Sequence, residues 1–269
     1  AVRRTRSALR LLKGVLPAEA RTHFKSEFKW LGNVTGTVRD LDVYLLKMPL
    51  YRADLPESMG QDLDPLDEYL HRHHRREQRR LVRRLKSKRY DELLSTWESF
   101  LARGARDSEA GPDAARAIID VASQRIWKAY RRVYKCGRPI TPQTPAATLH
   151  ALRINCKMLR YLLEFFRSLY VPSEVAKLVS ALKQLQDNLG DFNDLQVQQM
   201  SLRKFAVEMS DEGLASPASL LTMGRLVEHL ARRQADERLR FSQCWTKFAT
   251  PTTHARFRRL FKSPAPTAT

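Results

Sequence analysis

Sulfur chemistry has little to work with in this chain. Its three cysteines, Cys136, Cys156 and Cys244, stand far apart with no CxxC pair, which speaks against a zinc ribbon or a disulfide framework and for a reducing compartment. Glycine is scarce at 10 residues, and no alternating apolar run marks a strand. No apolar stretch approaches the roughly 18 residues that a membrane span needs. The opening AVRRTRSALRLL lacks the apolar core of a signal peptide, so the reading is a soluble cytoplasmic protein without a membrane partner. Catalytic signatures are missing too: no P-loop, GxSxG, GxGxxG, HExxH or HxxxH occurs, and nothing resembles a nucleophile with its base. The chain is read as non-enzymatic and in need of no cofactor.

What is abundant is positive charge. Lys and Arg number 48 against 29 Asp and Glu, a formal net charge of +19, which repels itself in a compact state unless an anionic partner accounts for it. Nucleic acid, a phospholipid surface and a phosphate polymer all qualify on charge alone. Hydrophobic residues at 43% of 269 exclude disorder and allow a real core.

Apolar residues recur at spacings of three and four through most of the chain, which predicts an all-α fold. Helices are expected at about 1–15, 18–48, 65–86, 89–103, 112–135, 145–170, 173–210 and 217–249, with a short amphipathic one near 252–262. Asp64-Pro65, Thr144-Pro145 and Ser216-Pro217 each set a capping side chain before a proline suited to a first helical turn. Segments 50–64, 104–112 and 136–145 read as loops, and the Pro- and Thr-rich end from Ser263 as a disordered tail.

Sliding the chain on itself by 154 residues aligns Arg6 with Arg160, Leu9 with Leu163, Lys29 with Lys183 and Leu31 with Leu185, without a gap. In the same register GTVRDLDV from Gly36 falls on GDFNDLQV from Gly190. We read a duplication, whose two units would pack about a pseudo-twofold axis. The partners of His150 and Arg153 would precede Ala1, so the chain is expected to start inside its first helix, with half of any site on that helix incomplete.

In the segment from 145, His150, Arg153, Lys157, Arg160 and Glu164 follow spacings of 3, 4, 3 and 4 and form one stripe of a helix turning ~100° per residue. Leu152, Cys156, Leu159, Leu163 and Phe166 form an apolar stripe about 120° away by the same rotation. Arg3, Arg6, Arg10 and Lys13 repeat the cationic plan, and about a pseudo-twofold the two rows would line one cleft. Arg offers a planar fork for two phosphate oxygens and Lys a compact charge, so such a row suits a run of phosphates. His150 could add a donor. A solvated basic face is the plainer reading of any one of these residues.

On LHRHHRREQRRLVRRLKSKRY at 70–90, His71, His74 and Gln78 continue the stripe of Leu81 and Leu85; they face either the same cavity or water. Lys128, Arg131, Arg132 and Lys135 make a further patch of the same ambiguous kind. Asp40, Asp42, Asp191 and Asp194 could hold a metal or act as acids, but pairing with Arg or Lys to keep the repeats in register is the preferred reading. The seven histidines are scattered, which weakens the metal-chelating alternative. Trp30, Trp127, Tyr161, Phe165 and Phe166 read mainly as packing, unlike the interleaved exposed aromatics of single-strand binders.

LHALRINCKMLRYLLEFF at 149–166 resembles the HxxRxxxKxLRYxxE signature of the CHAD family, the conserved histidine α-helical domain. VRRTRSALRLLKGVLP, FKWLGNVTGTVRDLDV, LKSKRYDELL and LQDNLGDFNDLQV are similar to further stretches of that family in the same order. The resemblance implies one domain over 1–269, with a truncated first repeat at 1–138, a second at 145–262 and a tail at 263–269. It also implies long antiparallel helices in two four-helix-bundle-like halves, with a basic central cavity that binds inorganic polyphosphate. His150, Arg153, Lys157 and Arg160 would be the binding residues and, more loosely, Arg3, Arg6 and Arg10; Lys13 and His74 join them from the stripes above. Recruitment to polyphosphate granules would follow. Some relatives carry a triphosphate-tunnel (CYTH) domain, a candidate functional partner, but its ExExK motif does not occur here. Nucleic acid remains the charge-permitted alternative.

Overall fold

Among the described residues the periodicity is realised largely as helix. A computed structural model describes residues 2–103 and 111–262, and among them the chain forms nine α-helices, short 3-10 turns and no strand. They are α1 (Val2–Leu11), α2 (Ala18–Ala53), α3 (Asp64–Leu85), α4 (Lys88–Arg103), α5 (Ile118–Gly137), α6 (Ala146–Phe165), α7 (Pro172–Asp211), α8 (Pro217–Phe248) and α9 (Pro251–Phe261). No helix among the described residues is long and apolar enough to cross a membrane. The tail from 263, and most of the expected loop at 104–112, lie outside the described residues.

Several departures from expectation have identifiable causes. The first helix stops at Leu11 rather than near residue 15, where Gly14 turns the chain with φ +85°, a backbone region open to glycine at little cost. The second runs past Pro49. Proline removes one helical hydrogen bond there, but Met48 and Tyr51 on either side are buried, and the Tyr51 hydroxyl donates to Gln198 Oε1 at 2.8 Å. Of the three expected caps, Ser216 works, accepting from the Ser219 amide at 3.1 Å. Asp64 instead pairs with Arg52 at 2.7 Å, and the Thr144 hydroxyl accepts from the Thr141 amide at 2.9 Å. A cap unread in the sequence is Thr250, which accepts from the Thr253 amide at 3.0 Å at the start of α9.

The chain divides into two compact units, Ala1–Ala114 with Val197–Ala231, and Ala115–Gln196 with Arg232–Thr269. Both are discontinuous, so this partition in space differs from the linear repeats, which concern sequence likeness. In the first unit Leu9, Phe24, Phe28, Leu31 and Leu93 bring α1, α2 and α4 into one core, lined by Trp97 and Phe100. Arg89 clasps Glu27 through two bonds of 2.9 Å and lies 4.5 Å over Trp30; the guanidinium holds the Glu27 carboxyl below its ordinary range. The Tyr69 hydroxyl donates to Glu208 Oε2 at 2.7 Å, tying α3 to α7.

In the second unit α5 packs against α6 and α9. Tyr130 stacks on Phe257 with ring centres 4.0 Å apart. Gly137, at the end of α5, meets Trp245 of α8 so closely that a Cβ would sit 2.0 Å from a ring carbon. The apolar stripe expected on α6, from Leu152 through Cys156, Leu159 and Leu163 to Phe166, is buried throughout. All three cysteines are free thiols, and burial pushes Cys156 well above its ordinary range, which makes it inert.

Candidate phosphate-binding site

Burial of the apolar face of α6 fixes where its cationic row can go: about 120° round the helix, along the flank of α7. There Arg153, Lys157 and Arg160 line a cavity of about 490 Å³, whose opposite wall is Gln186, Asp187, Gly190, Asp191 and Asp194 of α7. Steps of three and four residues advance the row by about 4.5 and 6 Å along the helix axis. Among the described residues, Arg153 Nε, Arg160 Nε and both amide atoms of Gln186 are buried without a hydrogen-bond partner. Buried polar atoms are ordinarily paired, so unmade hydrogen bonds lie beneath both walls of the cavity, at atoms closed to solvent.

His150 stands at the head of the row and is positioned by a relay. Its Nδ1 lies 2.6 Å from Asn193 Oδ1, Asn193 Nδ2 donates to Asp194 Oδ1 at 3.2 Å, and Arg153 donates to the same oxygen at 3.2 Å. The Asn193 amide uses its oxygen for the imidazole and its nitrogen for the carboxylate, so the Nδ1 hydrogen is the donor and Nε2 is left facing away from the pair. Arg160 also pairs with Glu164 at 3.4 Å, one turn on. Arg153 is 17% exposed at its side chain and Arg160 36%, sheltered enough for their charges to act at less than full solvent screening.

The carboxylates tune the wall in the opposite sense. Partial burial first, then Glu237, Asp187 and Asp194, raise the pKa of Asp191 from 3.8, with Arg240 opposing. A carboxyl raised on folding contributes stability that is full below its unfolded value and is lost as pH rises through its folded value. Asp191→Asn is therefore expected to raise the thermal unfolding temperature at pH 7, with the gain gone below about pH 3 where the wild-type carboxyl is protonated in both states. Unfolding scans at the two pH values check this. The same change removes a negative charge from the cavity and should tighten anion binding.

The first unit carries the other row. Arg3, Arg6, Arg10 and Lys13 are all exposed, the first three without an ion pair among the described residues, and Lys13 lies in the turn beyond α1. A Cβ on Gly32 would come 2.9 Å from Arg6 Nη1, so that guanidinium lies over bare helix backbone of α2. Under the 154-residue offset Gly32 corresponds to Gln186. His74, also of this unit, is 25% exposed and has its Nε2 2.8 Å from Asp42 Oδ1. Asp42 pairs with a histidine and Asp194 with Arg153, each within its own linear repeat. Among the described residues no group of three or more His, Cys, Asp and Glu is placed to hold a metal.

Gln186 and Asn193 were not among the candidates read from the sequence. The signal for Gln186 was available in part, since 186 and 190 precede Asp194 at four-residue spacing and so share its face of α7.

A family model for the CHAD domain matches residues 1–203. The chain belongs to the CHAD family. The crystal structure of the CHAD domain from the plant Ricinus communis superposes on this CHAD chain with a TM-score of 0.71 at 25% identity, covering 92% of this chain and 78% of that one. PptA from Streptomyces chartreusis shares the fold, with a TM-score of 0.67 at 16% identity over 91% of this chain and 86% of that one. An uncharacterised protein of Mycobacterium tuberculosis, MT2285, is 27% identical over 191 residues, 70% of this chain and 35% of the relative. The chain thus spans little more than a third of that curated relative.

Proposed function

We propose that this CHAD chain binds inorganic polyphosphate through the groove between α6 and α7, without making or breaking a bond. The observation that carries the reading is the cationic wall of Arg153, Lys157 and Arg160, three side chains in one row on a cavity of about 490 Å³. Successive phosphates of an extended chain would engage successive side chains of the row, and His150 would add a donor at its head. The exposed row on α1 offers a second stretch of contacts to the same kind of polymer. A net charge of +19 favours any polyanion at long range, but a groove with a cationic wall on α6, three aspartates on α7 and no aromatic lining suits phosphates rather than stacked bases. The cellular consequence is recruitment to polyphosphate granules.

Displacement of labelled long-chain polyphosphate tests the choice of polyanion. Unlabelled polyphosphate is expected to compete far better than single-stranded RNA at equal phosphate concentration. Binding should also fall with salt, with a log–log slope of about −2 from three neutralised phosphates and steeper if the α1 row takes part. Equal competition by RNA would return nucleic acid to the front.

A further inference from the structure

A second concave surface lies on the second unit and shares no lining residue with the α6 groove. It is an open cavity of about 1000 Å³ along the C-terminal half of α5 and the start of α9. Its rim carries Lys128, Arg131, Arg132, Lys135 and Arg138, all exposed. None of the five side chains has an ion pair or hydrogen bond among the described residues, and no acidic residue lines the cavity. Five uncompensated cations over about three helical turns repel one another, and a bound anion would relieve that repulsion.

Its floor is aromatic. Trp127 and Tyr134 are half-buried, and the His254 ring lies 6.0 Å from Trp127 and 6.1 Å from Tyr134, centre to centre. Buried Tyr130 anchors that imidazole, with its hydroxyl 3.0 Å from His254 Nδ1. Burial pushes the Tyr130 phenol up to about 12, so the hydroxyl stays protonated beside the imidazole. A solvated basic face needs neither a hollow nor half-bare rings at its base. Rings gain from a ligand with a π face, cations from a ligand with phosphates, and a nucleotide has both.

We propose that this surface binds a nucleoside polyphosphate, the base lying against Trp127, Tyr134 and His254 and the phosphates reaching the cations on α5. One hollow accommodates one base with its phosphates, which favours a free nucleotide over a nucleic-acid strand. The site is independent of the α6 groove.

The test is titration with ATP and, separately, with inorganic triphosphate, both free of metal. Wild-type protein should bind ATP about tenfold more tightly than triphosphate, the gain coming from stacking. Trp127→Leu should erase that preference, and Tyr134→Leu should reduce it, which keeps the test intact where the tryptophan variant unfolds. Arg131→Ala with Lys135→Ala, both exposed, should weaken the two ligands alike, about tenfold. A variant lacking Arg153, Lys157 and Arg160 should keep the ATP preference, separating this site from the polyphosphate groove. Triphosphate binding as tightly as ATP, a preference that survives both aromatic changes, or single-stranded RNA binding where ATP does not, would each overturn the proposal.

Discussion

Replacing Arg153, Lys157 and Arg160 together by alanine is expected to weaken binding of long polyphosphate by about 100-fold or more. Each charge-assisted contact is worth about 1.5–3 kcal/mol when sheltered. Partial exposure and the pairs Arg153–Asp194 and Arg160–Glu164 reduce that to about 1 kcal/mol each, hence about two decades in all. The three side chains have little part in the core, because the apolar face of α6 carries the packing, so the unfolding temperature should barely move. A charge-matched control, Arg203→Ala with Arg225→Ala and Arg258→Ala, removes three exposed cations outside the groove. It should cost less than tenfold, by loss of long-range attraction alone. Calorimetric titration of both variants decides the matter: an equal loss in the two would mean that net charge, not the groove, does the binding.

Gly137→Ala is expected to destabilise the second unit by about 2–3 kcal/mol. The new methyl would lie 2.0 Å from one Trp245 ring carbon and 2.4 Å from another, and overpacking of this kind must push a helix end or a ring off its minimum. Alanine is otherwise the better helix former, so the expected sign runs against propensity and isolates the steric term. Trp245→Leu in the same chain should restore part of the loss by clearing the space. Denaturant unfolding of the single and double variants measures this, and an unchanged midpoint for Gly137→Ala would contradict the close approach of α5 and α8.

These expectations rest on a fold whose local layer was largely open to sequence reasoning. The three-and-four spacing of Leu152, Cys156, Leu159 and Leu163 placed α6 and its buried face, because helix period and core burial are imposed by the same geometry. Ser216 before Pro217 marked the start of α8 for an equally local reason. Reasoning failed where another partner, near or far along the chain, decided the outcome. Asp64 and Thr144 have the chemistry of caps, but Arg52 and Thr141 take their oxygens. Pro49 reads as a stop, yet the burial of Tyr51 carries α2 onward.

The candidate site divides along the same line. Arg153, Lys157 and Arg160 lie on one helix, so their alignment followed from spacing. Gln186, Asp187 and Asp191 face them from α7, and no periodicity announces which helix a row will meet. Phe165 shows the converse error. It reads as a packing residue but is 47% exposed, since spacing gives the side of a helix and not how completely a neighbour covers it.

The central claim is that a row of side chains meets a row of phosphates, and a chain-length series tests it most directly. Wild-type protein is titrated calorimetrically with inorganic polyphosphate of three, about ten and several dozen units at fixed phosphate concentration and salt. Contacts added along the row predict that affinity climbs steeply from the shortest ligand and then levels once the chain spans it. Three phosphates binding as tightly as several dozen would mean a single-anion pocket and would contradict the account.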